Sequence, residues 1–254
     1  MSLNREIKEL CDESLNEFFS HTYWLKIKNK KAIKGNTDPL YSDVDGRMAF
    51  IIHSVTIRSG VILEKLYFEA IKICCPNLRV WNERKFKISK HAMSLASDQD
   101  NKDVLTTDLP YGEAYLIGKK RKKTRQIDLF TYDKDKEILN CYEIKRGGGH
   151  HDSEKQEKII ENLIAVRMLL KRYGEDCMKL KIKKYKSFII SHMNQELFSP
   201  DYRYLQINGN EVNKHFNANI LEKINEGYDY YVGEFKRRFN KVKKESYEEL
   251  ANKF

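Results

Sequence analysis

Residues 126–145 constrain the fold more than any other stretch of this chain. QIDLFTY (126–132) and EILNCYEIK (137–145) are rich in β-branched and aromatic residues. The polar residues 133–136 join them, and the pattern reads as a β-hairpin. Side chains alternate along a strand. One face of the second segment therefore carries Ile138, Asn140, Tyr142 and Ile144, and the other carries Leu139, Cys141, Glu143 and Lys145. On the first segment Asp128 shares a face with Gln126, Phe130 and Tyr132. Pairing Tyr132 with Glu137 sets Gln126 opposite Glu143 and Asp128 opposite Cys141. Asp128 is then diagonal to Glu143 on one face, within reach of a shared cation. A slip of one residue would put the two carboxylates on opposite faces.

Two carboxylates and an ammonium beside apolar residues are costly unless something pairs them. A divalent cation would do so, and Mg²⁺ takes a few carboxylate oxygens together with water and substrate phosphate. Lys145 would hold an attacking water near the metal and stabilise charge on the phosphate. An ordinary Glu–Lys pair at a sheet edge writes the same short pattern, so E-x-K alone says little. The weight lies in the longer pattern, D-x₁₄-E-x-K across a hairpin, followed by Gly147, Gly148 and Gly149 and then by a helix. Ser153 and Gln156 read as the capping box that opens this helix.

The remaining periodicities place the hairpin in an α/β fold: a mixed sheet flanked by helices, with added helical regions at both ends. Helices are expected over 3–20, 47–75 and 218–252, and from 153 onward with an inner face of Ile159, Ile160, Leu163, Ile164 and Leu170. Strands are expected over 79–88, 114–118 and 180–191. The intervening helix lets the last of these run parallel to a core strand. Residues 28–46, 94–112 and 119–125 read as loops. The expected organisation is a single domain, with a core at 57–195 between helical regions at 1–56 and 196–254. In the second helix Glu64 falls outside the polar stripe of Arg58, Lys65, Glu69 and Lys72, in line with Ile57, Val61, Phe68 and Ile71. Such a carboxylate either serves a nearby site or snorkels from the stripe's edge. Gly60, one turn earlier, would permit close approach of another backbone.

The chain of 254 residues carries a formal net charge of +10. That excess favours a polyanionic partner, because each phosphate neutralised releases counterions; solvated lysines give the same total. The densest patch is Lys119, Lys120, Arg121, Lys122, Lys123 and Arg125, which leads into the strand bearing Asp128. A loop there would grip a DNA backbone. The five cysteines show no CxxC spacing and read as reduced core thiols. The N-terminus has no apolar signal region, and no run approaches ~20 apolar residues. A cytoplasmic protein without a membrane segment is the expectation. His150, His151 and Asp152 lack a further ligand at useful spacing and are not read as a zinc site.

The set Arg58-Ser59-Gly60 with Glu64, then Gln126-Ile127-Asp128, then Glu143-Ile144-Lys145-Arg146-Gly147-Gly148 resembles the active-site region of type II restriction endonucleases of the PD-(D/E)XK superfamily. The resemblance covers about 57–165, with Ile127 where the motif's name has proline. It implies a restriction-endonuclease-like core and hydrolysis of double-stranded DNA with Mg²⁺, for which Mn²⁺ would substitute. Asp128, Glu143 and the backbone carbonyl of Ile144 would bind the metal. Lys145 would orient the nucleophile, Glu64 would be an accessory acid, and Arg146 would join the basic run on DNA. A homodimer acting on a short palindrome, with a cognate DNA methyltransferase as genetic partner, completes what the resemblance implies. Two other expectations fit the same residues: a structure-selective repair or recombination nuclease of the same fold, and a basic DNA-binding protein without catalysis.

Overall fold

A computed structural model describes residues 3–20, 43–98, 107–112, 115–117, 121–147 and 153–251. The chain divides into two compact units, Met1–Ala70 with Glu222–Phe254, and Ile71–Leu221.

The first unit is helical. Helix α1 (Arg5–Phe18) starts at Asn4, whose side chain accepts from the N–H groups of Glu6 and Ile7. Its buried residues, Ile7, Cys11, Leu15 and Phe18, recur at helical spacing and make one apolar stripe. Helix α2 (Asp43–Cys74) begins earlier than the expected 47, so residues 43–46 are helix and not loop. Helix α6 (Ile220–Ala251) brings Ile224 and Tyr231 into the core, and the Cys11 thiol donates to the Gly227 carbonyl. The buried stripe of α2 in this unit is Ser59, Ile62, Leu63, Leu66, Tyr67 and Ala70. The expected face through Ile57 and Glu64 is therefore displaced: Ile57 is 55% exposed, and Val61, Glu64 and Phe68 lie half-buried on the flank. The segment has two candidate apolar stripes, and packing selects the one with Leu63 and Leu66. A Cβ on Gly60 would meet nothing within 4 Å, so no described backbone approaches there.

The second unit is an α/β layer structure. Strands β1 (Leu78–Lys87), β3 (Arg121–Asp133), β4 (Ile138–Lys145), β5 (Lys184–Ser191) and β6 (Gln206–Asn208) lie side by side in that order, and β2 (Tyr115–Ile117) pairs with β3. β1, β3 and β4 are antiparallel neighbours; β4, β5 and β6 run parallel. Helix α4 (Ser153–Arg172) makes the β4-to-β5 crossover. Its Ile160, Leu163 and Ile164 pack in one cluster with Phe130, Tyr132, Leu139 and Cys141. The face of β4 that ends in Glu143 and Lys145 is thus the core face, as its alternation requires. Close apposition continues past α4 into a π-helical turn, Tyr173–Cys177, where a Cβ on Gly174 would lie 2.2 Å from Ile182 and 2.8 Å from Leu139.

Several local expectations change. Residues 94–97 belong to helix α3 (Lys90–Ser97), capped by Ser89, whose hydroxyl accepts the Ala92 N–H. Residues 121–125 are strand and not loop, paired with β2 through Lys123↔Tyr115, Lys122↔Leu116 and Arg121↔Ile117. The hairpin register is Tyr132↔Leu139, two residues from the expected Tyr132↔Glu137. Asp133 causes the shift: its Oδ1 accepts from the N–H groups of Asp135 and Lys136, which makes 134–137 the turn, with Glu137 at φ +55°. A two-residue shift preserves every side chain's face. Strand β6 and the short helix α5 (Val212–Phe216) stand where only a helical region was expected. Helix α4 begins at Ser153. Asp152, Gly148, Gly149, His150, His151, Lys119 and Lys120 lie outside the described residues.

Candidate metal centre

The β3–β4 ladder runs from Asp133↔Ile138 to Leu129↔Tyr142 and ends there. One step further Asp128 and Glu143 follow in register, and the two strands no longer exchange backbone bonds. The Ile144 N–H turns instead to Asp128 Oδ2, at 2.9 Å. On the other edge of β4 the Lys145 carbonyl accepts the His192 N–H and the Arg146 carbonyl accepts that of Met193. An extended residue presents its N–H and C=O to the same strand edge. The Ile144 carbonyl therefore opens toward β3, the side on which Asp128 lies. Gly147, at φ +82°, then turns the chain away; its Cα stands so close to β5 that a Cβ there would lie 3.3 Å from Met193 and 3.5 Å from Ser191 Oγ.

A second irregularity shapes the site from the β1 side. Trp81 pairs with Phe130, but Glu83 pairs with Ile127, so β3 carries one extra residue between 127 and 130. This β-bulge, offset by a second one on β1 before Phe86, breaks strict alternation at Asp128. Ile127 consequently joins the core cluster that holds Phe130 and Tyr132, while Leu129 does not. Arg125 follows Ile127 onto that face and ion-pairs with Glu143 Oε2. Sequence reading assigned Arg125 to DNA and missed this contact. Alternation puts Arg125 on the face away from Asp128, and nothing in one sequence marks the bulge.

Lys145 Nζ lies 2.8 Å from Glu143 Oε1, so each oxygen of Glu143 has its own cation. Burial alone would push the Glu143 carboxyl up, but Lys145 and Arg125 outweigh it and hold the group below its ordinary range. Burial would likewise lower Lys145; Glu143 and Asp128 together raise it. Asp128 behaves in the opposite way. Burial pushes its carboxyl above the ordinary value, the charge of Glu143 adds to that, and the Ile144 N–H, Lys145 and Gln126 only partly offset it. A carboxylate that is expensive to ionise beside a second, ionised one is a place where an added cation is favourable.

The donor set fits a hard divalent ion. It consists of two carboxylates and one strand-edge carbonyl, leaving positions for water and a substrate oxygen, as Mg²⁺ prefers. Among the described residues no group of three or more His, Cys, Asp or Glu is placed to hold a metal ion, so a cation here would rest on the two carboxylates and the carbonyl. Glu143 and Lys145 pair along one face of β4, as its alternation predicts. Asp128 reaches them at the bulge, through its bond to the Ile144 N–H, and not through the strict alternation and register expected of β3. Glu64 belongs to the first unit, half-buried within α2. Arg121, Lys122 and Lys123 belong to the β3 arm that leads toward the site, and Arg146 follows β4 directly. Among the described residues no helix is long and apolar enough to cross a membrane. Compared with known proteins, the chain matches no family model, no curated protein and no solved structure.

Proposed function

We propose that this chain is a Mg²⁺-dependent endonuclease with a restriction-endonuclease-like core, hydrolysing phosphodiester bonds of double-stranded DNA. The observation that carries the reading is the meeting of Asp128, Glu143 and Lys145 where the β3–β4 ladder opens. Asp128, Glu143 and the Ile144 carbonyl would hold the ion. When bound, Mg²⁺ supplies Lewis-acid stabilisation of the phosphoryl oxygen and a more acidic water. Lys145, held by Glu143 Oε1, orients the attacking water and meets negative charge developing on the phosphate. The basic β3 arm and Arg146 steer and grip the backbone. Resemblance to type II restriction endonucleases adds cutting at a specific sequence, with a cognate methyltransferase protecting host DNA. Duplex symmetry adds a homodimer.

The test is incubation of the full chain with unmethylated phage DNA, with and without Mg²⁺, beside Asp128→Ala and Lys145→Ala. Discrete fragments that require Mg²⁺ are expected, with a loss of about 10²-fold or more in each variant. Cleavage of branched but not linear DNA would move the function to structure-selective processing. DNA bound tightly but left intact across varied sequences and salts would leave a non-catalytic binder.

A further inference from the structure

Both oxygens of Glu143 are paired, Oε1 with Lys145 and Oε2 with Arg125. A cation shared with Asp128 needs one of them. Lys145 keeps a use on Glu143, because that contact aims its ammonium. Arg125 has no such reason to stay. Its side chain is 23% exposed, so it is partly open to solvent and not sealed in the core. It also stands on β3 two positions after Lys123, at the end of the basic run Arg121, Lys122 and Lys123. A guanidinium exchanges a carboxylate for a phosphate readily, since both accept its forked donors.

We propose that Arg125 is a positioning residue: it covers the metal-binding oxygen of Glu143 until a DNA phosphate draws the guanidinium away, and only then admits the cation. The proposal rests on the metal-dependent nuclease reading and deepens it. Its consequence is thermodynamic coupling. DNA and metal each strengthen binding of the other by the same factor, because both compete with one ion pair. A second consequence is protective, since the chain stays poorly loaded with metal until it is on DNA. The ion pair also keeps Glu143 neutralised in the meantime, which an uncompensated buried carboxylate would not be.

The test is calorimetric titration of the full, DNA-free chain with Mn²⁺, comparing wild type, Arg125→Gln, Arg125→Lys and Asp128→Ala. Arg125→Gln is expected to bind Mn²⁺ about tenfold more tightly than wild type, the size of one charge-assisted hydrogen bond. Arg125→Lys, which keeps the charge but not the fork, falls between them. Asp128→Ala loses the binding. In parallel, the gain in duplex affinity caused by Mn²⁺ shrinks in Arg125→Gln, a readout that a merely structural arginine would not move. Equal or weaker Mn²⁺ binding in Arg125→Gln overturns the proposal; should that variant fail to fold, the same criterion applies to Arg125→Lys. If Asp128→Ala binds Mn²⁺ as wild type does, the metal centre itself is overturned and the role of Arg125 falls with it. If Asp128→Ala abolishes binding and Arg125→Gln matches wild type, only the role of Arg125 falls.

Discussion

The two ends of the β3–β4 hairpin use the same residue types to opposite effect. At the turn end Asp133 satisfies the N–H groups of Asp135 and Lys136, and Glu137 pairs with Lys181 and Lys183, whose side chains are 79% and 68% exposed. At the open end Asp128 takes the N–H of Ile144, and Glu143 pairs with Lys145 and Arg125, whose side chains are 37% and 23% exposed. An aspartate replaces a backbone partner, and a glutamate collects two cations, at both ends. Water screens the pairs at the turn end, so they contribute little. At the open end burial makes the ionisation of Asp128 unfavourable and binds Glu143 strongly to its cations. Chemistry depends on where in the sheet the charges sit as much as on which charges they are.

That contrast sets the order of expected effects. The largest is on cleavage: Glu143→Gln is expected to lower the DNA-cutting rate by about 10²–10³-fold, whereas Glu137→Gln leaves the rate unchanged. Timed plasmid digestion checks both, and an equal loss in the two variants would erase the distinction between the ends.

Stability of the metal-free chain is the next measure. Removing the Glu143 charge leaves Lys145 and Arg125 repelling each other, with only Asp128 to offset Lys145. Glu143→Gln is expected to cost about 1–3 kcal/mol in urea unfolding, discounted from a fully buried pair because Lys145 is 37% exposed. Asp128→Asn has the opposite sign. The folded-state pKa of Asp128 is raised, so its contribution to stability is fully present only below its ordinary value and is lost as pH rises through the raised one. At neutral pH the amide, which still accepts from Ile144, is expected to make the metal-free chain more stable while abolishing cleavage, a trade of stability for function. Glu143, with a lowered pKa, contributes stability above its ordinary 4.5 that is lost as pH falls through the lowered value.

The smallest effect concerns pH and metal together. Protons compete with the cation at Asp128, so apparent Mn²⁺ affinity is expected to fall with decreasing pH already above the ordinary Asp value of 3.8. Titration at stepped pH checks this, and constant affinity down to that value would show that Asp128 is not the group binding the ion.

How the chain arrives at these two ends was partly legible before any fold was known. The alternation Leu139, Cys141, Glu143, Lys145 is a local property of an extended chain, and it put the charges on the core face before a partner strand was assigned. The crossover through α4 and the parallel β5 followed from helical and strand periodicities of ordinary length. The register was missed by two residues, because Asp133 satisfies a turn one position later than composition suggests. It was missed harmlessly, because strand faces repeat every two residues. The buried face of α2 was misplaced, since a helix with two apolar stripes does not declare which one its neighbours cover.

What the sequence by itself determined, then, is the set of charged groups and the face that Glu143 and Lys145 share on β4: strand periodicity is written residue by residue. What only the tertiary structure decided is their relation to one another. The ladder stops at Leu129↔Tyr142, a bulge in β3 turns Arg125 toward Glu143, and Asp128 takes the freed N–H of Ile144. The bulge depends on pairing with β1, far back in the chain, and the other two on how the hairpin's ladder ends, neither of which side-chain periodicity records.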